Sequence, residues 1–436
     1  MPTAAYYTLG CKVNQYETER IRREMERRGF LTVPFASRAD VYVINSCTVT
    51  AVADSKSRKA IRAAARRNPA ALVVATGCYA HLRPDEIRDI PGVDLVVSNQ
   101  EKDMIPDHII RHLPEPARPF PVSQPSLAGL PRQRTRAIVK VQDGCDSLCA
   151  YCAVPLARSV VCSTPHEDVL DEIRDLAACG YKEVVLTGIR LGRYESGGLR
   201  LPDLVASISG VEGIERVRLS SIEPMEVTEV LLRTIVGSSK VCRHLHVPLQ
   251  SGDDNVLRGM NRPYTGAEFA RIVRRARELV PEIGLTTDAM VGFPGETEEA
   301  FARTLELVEK LRFSRLHAFR FSPRPGTAAE KMAGCVSRDA MDRRSRTLIA
   351  LGEHLMQAFA GRFVGRTVEV LVEGGSKQDG VVGGFTDNYV ETVFRGGVSL
   401  EGRIVKVRIE RAHNGRLVGE LASKGGSSCR TAFSAR

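Results

Sequence analysis

No stretch of the 436 residues approaches the ~18 consecutive apolar residues that a membrane-spanning helix needs. The opening residues, MPTAAYYTLGCK, lack both a basic leader and an apolar signal core. These two absences lead to the expectation of a cytoplasmic protein with no membrane partner. Apolar residues are not scarce, since 43% are hydrophobic, which allows buried cores and argues against wholesale disorder. Acidic residues are in deficit: 52 Asp and Glu face 62 Lys and Arg, a net charge of +10. Such an excess suits an acidic partner such as nucleic acid, through phosphate attraction and counterion release. It equally suits a protein with Arg-rich helices that binds nothing acidic. The length exceeds the usual span of one domain and points to two to four.

Residues 1–113 read as alternating strands and helices. The strand runs are AAYYTLG, DVYVINS, ALVVATG and VDLVVSN. Helices are expected from about Tyr16 to Arg28, with Gly29 as the stop, through KSRKAIRAAARR, and near Pro84–Asp89. Apolar strands separated by helices imply a parallel sheet with crossover helices. Residues 114–131 hold six prolines and read as an extended linker. Between 132 and 361 six strand-like runs follow: AIVKVQ, KEVVLTG, IERVRLSS, CRHLHVPLQ, GLTTDAMVGF and SRLHAFRFS. Helical patterns such as GAEFARIVRRARELV separate them, and periodicity leaves a partial barrel and an open doubly wound sheet both open. Residues 362–422 are β-branched and broken by Gly and Asn turns, as in a small all-β barrel. Residues 423–436 read as a disordered tail.

Eleven cysteines, odd in number and widely spread, argue against a disulfide framework and for metal or redox chemistry. In GCDSLCAYC, Cys145, Cys149 and Cys152 share one short loop that can aim three thiolates at one face of a cubane cluster. The fourth iron is then free for a cofactor or substrate, as an open position is in catalytic zinc sites. Spacing alone also allows zinc, or an electron-transfer cluster with a distant fourth ligand. The place of the loop, just after the first strand of a β/α series, favours a ligand site. Cys11 follows YYTLG, Cys47 follows VYVINS and Cys78 follows LVVATG, each at a strand's carboxyl end. In a parallel sheet those ends share one edge, so a second three-cysteine cluster is expected there. Cys179 and Cys242 read as packing residues; Cys162, Cys335 and Cys429 share no spacing with the others.

The ordered set GCDSLCAYC, TGIRLGRY, RLSSIEP, HVPLQSGDDNVLRGMNRPYT, TTDAMVGFPGETEE and FSPRPGTAA resembles the radical S-adenosylmethionine methylthiotransferases. The opening TLGCKVNQYE and the later FTDNYVE are most similar to the subfamily acting on N6-threonylcarbamoyladenosine beside the tRNA anticodon. Members acting on isopentenyladenosine in tRNA, or on a ribosomal-protein aspartate, are the alternatives. An alternative of another class is a non-catalytic iron–sulfur RNA-binding protein. The resemblance implies an α/β fold: a partial (β/α)6 barrel, an N-terminal parallel α/β domain and a C-terminal TRAM barrel for RNA.

It also implies two 4Fe-4S clusters as cofactors, on Cys145, Cys149 and Cys152 and on Cys11, Cys47 and Cys78. S-adenosylmethionine would be both the radical source and the methyl donor. The partners implied are tRNA, a low-potential electron donor and a sulfur source. Tyr151 would lie near adenine, Gly188, Gly192, Gly292 and Gly295 would admit the cofactor closely, and Glu223 would meet its ribose. Gln250, Ser251 and Arg262 are further candidates for polar contacts. After the cluster loop the chain reads CAVPLARSVVCST, where the family usually reads close to CIIPYARGxxRSR. Arg158 is kept, whereas Leu156 and Cys162 depart from that pattern.

Overall fold

The structure is a computed structural model that describes residues 1–113, 134–376 and 380–422. The expected linker, the expected tail and Cys429 lie outside the described residues. The N-terminal sheet contains β1 (Thr3–Thr8), β2 (Leu31–Thr32), β3 (Val41–Ser46), β4 (Leu72–Gly77) and β5 (Leu95–Val96). Its order is β2-β1-β3-β4-β5 and every pair is parallel. Four of these strands match the expected runs, while the two-residue β2 is too short to show any alternation.

The central strand β3 is buried at all six positions because helices cover both faces, as crossover connections require. Val41 and Val43 meet Ile21 and Met25 of helix Lys12–Arg27. Tyr42 and Ile44 meet Ala60, Ile61 and Ala64 of helix Ala51–Arg67 on the other side.

All six expected runs of the middle region form strands. They are β6 (Ala137–Asp143), β8 (Glu183–Gly188), β11 (Arg216–Leu219), β12 (His244–His246), β13 (Gly284–Val291) and β14 (Arg315–Arg320). Two short additions are β7 (Cys162–Ser163), antiparallel to β6, and the hairpin of β9 (Glu195–Ser196) with β10 (Leu199–Arg200). Parallel bridges at Val217–Val241 and Ser221–His246 carry β11 across to β12. The six strands thus form one curved parallel sheet around a single core. This decides for the partial barrel over the doubly wound sheet. The 24-residue helix Arg338–Gly361 packs on β14. Its buried face includes Arg344 and Gly352, so its apolar signal is diluted and sequence reading passes over it.

The C-terminal strands β15 (Thr367–Ser376), β16 (Val381–Thr386), β17 (Glu391–Arg395), β18 (Ile404–His413) and β19 (Arg416–Leu421) close into a barrel. Asn414 and Gly415 both take positive φ, the two-residue hairpin solution that joins β18 to β19. The turn within FTDNYVE docks this small barrel onto the amino-terminal end of the large one. Arg216 donates to Phe385 O at 3.0 Å and to Glu369 O at 2.9 Å. Arg218 donates to Asp387 O at 2.8 Å, Thr386 O at 3.0 Å and Glu183 Oε1 at 2.6 Å. Tyr389, at φ 69°, brings its ring to 4.8 Å from that of His244 and beneath the Arg218 guanidinium. Among the described residues no helix is long and apolar enough to cross a membrane.

Candidate active site between two cysteine triads

The loop leaving β6 carries Cys145, Cys149 and Cys152. It starts at Gly144, whose φ is +79° and where a Cβ would fall 1.9 Å from Val160 O, so no side chain fits. Gln142 braces the turn by donating to Asp143 O at 2.7 Å and Gly144 O at 2.8 Å. Further contacts fix the rest: Ala150 N donates to Met260 O at 3.0 Å, and Asn261 Nδ2 to Leu148 O at 2.7 Å. Each thiol faces one N–H donor at 3.4 Å: Ser147 N for Cys145, Val154 N for Cys152 and Arg262 Nη1 for Cys149. Such donors stabilise thiolate ligands and tune the clusters they hold. Burial pushes the Cys152 thiol up to about 12, with the Val154 N–H opposing.

The N-terminal cysteines do converge. Cys11 caps helix Lys12–Arg27, Cys47 follows β3 and Cys78 opens the helix Cys78–Leu82 after β4. Burial raises Cys47 to about 11, and the charges of Cys78 and Cys11 add to it. Burial raises Cys11 too, and Cys78 contributes there. Gly10 packs on Cys47, since a Cβ at Gly10 would stand 2.8 Å from Sγ. Two of the three thiols therefore sit at helix starts, Cys11 at the cap and Cys78 in the first turn.

Among the described residues, no group of three or more His, Cys, Asp or Glu is placed to hold a single metal ion. A tetrahedral zinc would need such a group. The donor set of the loop, three thiols each facing an N–H at 3.4 Å, is one that suits an iron–sulfur cluster.

One cysteine of each triad, Cys78 and Cys152, lines a shared cavity. A cleft of about 220 Å³ is lined by Thr48–Thr50 and Cys78 from the N-terminal side and by Tyr151, Cys152, Gln250 and Asp288 from the barrel. Gln250 is buried, holds the left-handed conformation (φ 65°), and its Oε1 has no hydrogen-bond partner among the described residues. A strained backbone with an unpaired buried carbonyl makes Gln250 a candidate ligand contact. Asp288 receives His246 Nε2 at 3.2 Å, and His246 Nδ1 lies 2.9 Å from Thr286 Oγ1. Sequence reading missed Asp288 and His246. Their signal was a polar side chain at alternate positions of otherwise apolar strands.

Other expected contacts resolve differently. Arg262 and Glu223 pair with each other, and Arg262 Nε donates to Tyr264 OH at 3.1 Å. Ser251 turns away into a network with Thr304 Oγ1 (3.3 Å) and Asp253 N (3.2 Å). A side chain at Gly188 would meet Gln142 at 3.0 Å, one at Gly192 would meet Glu226 at 2.4 Å, and one at Gly292 would meet Met341 at 2.2 Å. Those three glycines make room for the protein's own side chains, which accounts for them without a cofactor.

A buried ionic knot joins the two halves. Arg158 donates to Glu17 at 2.7 and 2.8 Å, to Asp143 at 2.9 Å and to Asn14 Oδ1 at 3.0 Å. Lys102 and Lys140 complete the surround of Glu17, so three cations hold its carboxyl well below the usual range against burial. Cys162 and Cys335 are exposed and Cys242 is buried.

Residues 3–98 match the family described as "Uncharacterized protein family UPF0004", 139–308 the radical SAM superfamily and 361–422 the TRAM domain. A threonylcarbamoyladenosine tRNA methylthiotransferase from Bacillus subtilis (strain 168) is 39% identical over 426 residues, covering 94% of each chain. A tRNA-2-methylthio-N(6)-dimethylallyladenosine synthase from Thermodesulfovibrio yellowstonii (strain ATCC 51303 / DSM 11347 / YP87) is 32% identical, covering 95% of this chain and 98% of its own. Among solved structures, a radical S-adenosylmethionine methyltransferase from Kitasatospora setae, with cobalamin and a [4Fe-4S] cluster, aligns with TM-score 0.55. It is 18% identical and covers 75% of this chain and 77% of its own, a likeness of fold.

Proposed function

We propose that this chain, a member of the radical S-adenosylmethionine tRNA methylthiotransferases, methylthiolates C2 of N6-threonylcarbamoyladenosine at position 37 of tRNA. The observation that carries this reading is the single cleft into which both Cys78 and Cys152 open. A substrate carbon held there would lie beside a cysteine of each triad. The threonylcarbamoyl substrate is favoured over the dimethylallyl one by the greater identity to the first relative, 39% against 32%.

Cys145, Cys149 and Cys152 would hold one 4Fe-4S cluster, and Cys11, Cys47 and Cys78 a second. With S-adenosylmethionine bound, the first would supply one-electron chemistry for taking a hydrogen atom from an unactivated carbon, and the second would supply sulfur. The chain's own residues bind, orient and exclude water. Tyr151, Met290, Phe319 and Phe321 form the apolar wall of the cleft and keep water from reactive species. Arg262, locked by Glu223 and Tyr264, holds its guanidinium on Cys149. Asp288, steadied by His246, offers a carboxylate to N–H groups of a ligand. A second S-adenosylmethionine as methyl donor, a low-potential electron donor, a sulfur source and a cytoplasmic setting complete the proposal. Its segments are drawn at 1–113, 132–361 and 362–422.

Two measurements test this reading. In tRNA from a strain lacking the gene, nucleoside mass spectrometry should show loss of 2-methylthio-N6-threonylcarbamoyladenosine alone. Unchanged nucleosides would remove the tRNA substrate. Gln250→Gly keeps the left-handed backbone while deleting the amide. It should weaken S-adenosylmethionine binding to the reconstituted protein by roughly 10-fold, the size of a lost buried hydrogen bond. Calorimetric affinity equal to wild type would place the Gln250 amide outside the cofactor site.

A further inference from the structure

Helix Ala51–Arg67 begins where the catalytic cleft opens. Thr48, Val49 and Thr50 line the cleft, Thr50 caps the helix by accepting from Ala53 N at 3.2 Å, and Ala51 N donates to Ser322 Oγ at 3.3 Å. From there it runs outward over the N-terminal sheet. Ser57, Ala60, Ile61 and Ala64 are buried against that sheet. At 100° per residue, Lys56, Lys59, Arg62 and Arg66 share the opposite face. All four are exposed, and none has an ion-pair or hydrogen-bond partner among the described residues. The helix has one carboxylate, Asp54, and Arg324 binds it. Val52, 62% exposed, lies on the same face, and Val49, 57% exposed, stands at the mouth of the cleft.

The bland account, a solvated helix face, does not explain this composition. Cations near a helix C-terminus are favoured by the macrodipole, but Lys56 lies in the first half and Lys59 at the midpoint, outside the last turn where that gain is made. Solvated helix faces usually interleave both signs as i,i+4 pairs, and here the face is of one sign throughout.

We infer that this face is a rail for the phosphodiester backbone of the substrate RNA, leading the strand that flanks the modified nucleoside into the cleft. The inference rests on the tRNA reading above and adds a binding surface outside the TRAM barrel. Lys56 to Arg66 span about 15 Å along the axis, long enough to meet successive phosphates. Val49 and Val52 give an apolar threshold where the strand leaves the rail.

The test compares full-length wild type with a K56Q/K59Q/R62Q/R66Q variant. The probe is the fluorescence anisotropy of an anticodon stem–loop RNA over a salt series. Each phosphate contact contributes about 0.7 to 0.9 to the slope of log K against log salt. The variant should lose roughly 3 units of slope and bind on the order of 100-fold more weakly near 0.1 M salt. A control variant carrying Arg271, Arg274, Lys310 and Arg338 changed to Gln removes the same charge from exposed barrel positions. It should keep most of the affinity. The four rail side chains are exposed and unpartnered, so the unfolding midpoint should match wild type. Equal loss in both variants, or an unchanged slope in the first, overturns the rail and leaves the proposed function standing. Failure of wild type to bind the RNA at all overturns both.

Discussion

Arg158→Ala is expected to destabilise the protein by about 3–5 kcal/mol, the cost of removing one partner from a buried ion pair. The guanidinium is almost wholly buried and bridges Glu17 of the first helix to Asp143 at the end of the first barrel strand. Without it, two carboxylates face each other with only Lys102 and Lys140 to balance them. Anaerobic denaturant unfolding, with hydrogen exchange along residues 12–27, reads both the stability and where it is lost. Arg158→Lys should recover less than half, because one ammonium cannot bridge both carboxylates as a planar fork does. The contribution depends on pH in a fixed direction. The folded pKa of Glu17 lies below its unfolded value, so its stabilisation is complete above about 4.3. It is lost as pH falls below that value. An alanine variant as stable as wild type at neutral pH would show that the knot contributes nothing net.

Cys149→Ala and Cys47→Ala should divide the reaction in two. The first removes a proposed ligand of the loop cluster, which is also the Sγ that receives Arg262. Formation of 5′-deoxyadenosine should fall by more than about 1,000-fold, since no cluster remains to break the cofactor's bond, and about four irons per chain should be lost. The second acts on the other sheet, where Cys47 neighbours Cys11 and Cys78. There 5′-deoxyadenosine should still form while the methylthiolated nucleoside disappears. Iron content, 5′-deoxyadenosine yield and nucleoside product, measured on each variant, check the division. Loss of 5′-deoxyadenosine in both would mean that the triads do not act separately.

Much of this arrangement is legible in the sequence because it obeys local rules. Strand-like runs of six to ten residues mark all six parallel strands of the large barrel. A cysteine after each of three parallel strands predicted the convergence of Cys11, Cys47 and Cys78, since parallel strands end on one edge. What escaped depends on contacts between distant residues. Nothing near Gln250 in sequence announces a left-handed backbone, which occurs where Gln250 itself bridges Ala289 of β13. Gly192 and Gly292 read as cofactor glycines until Glu226 and Met341 fill the space beside them. The role of Arg158 needed Glu17, 141 residues away, to be visible. The helix Arg338–Gly361 hid because a buried arginine and a glycine interrupt its apolar face.

The docking of Tyr389 against the base of the large barrel makes the two barrels depend on each other. A nucleic-acid-binding module tied on by a flexible tether can be lost, swapped or moved without harm to its neighbour. Here two arginines of the catalytic barrel find backbone acceptors in the module, and Tyr389 packs its ring on a barrel histidine. The small barrel has thereby become part of the large one's foundation. Removing it would strip Arg216 and Arg218 of those acceptors and uncover His244, whatever surface holds the RNA.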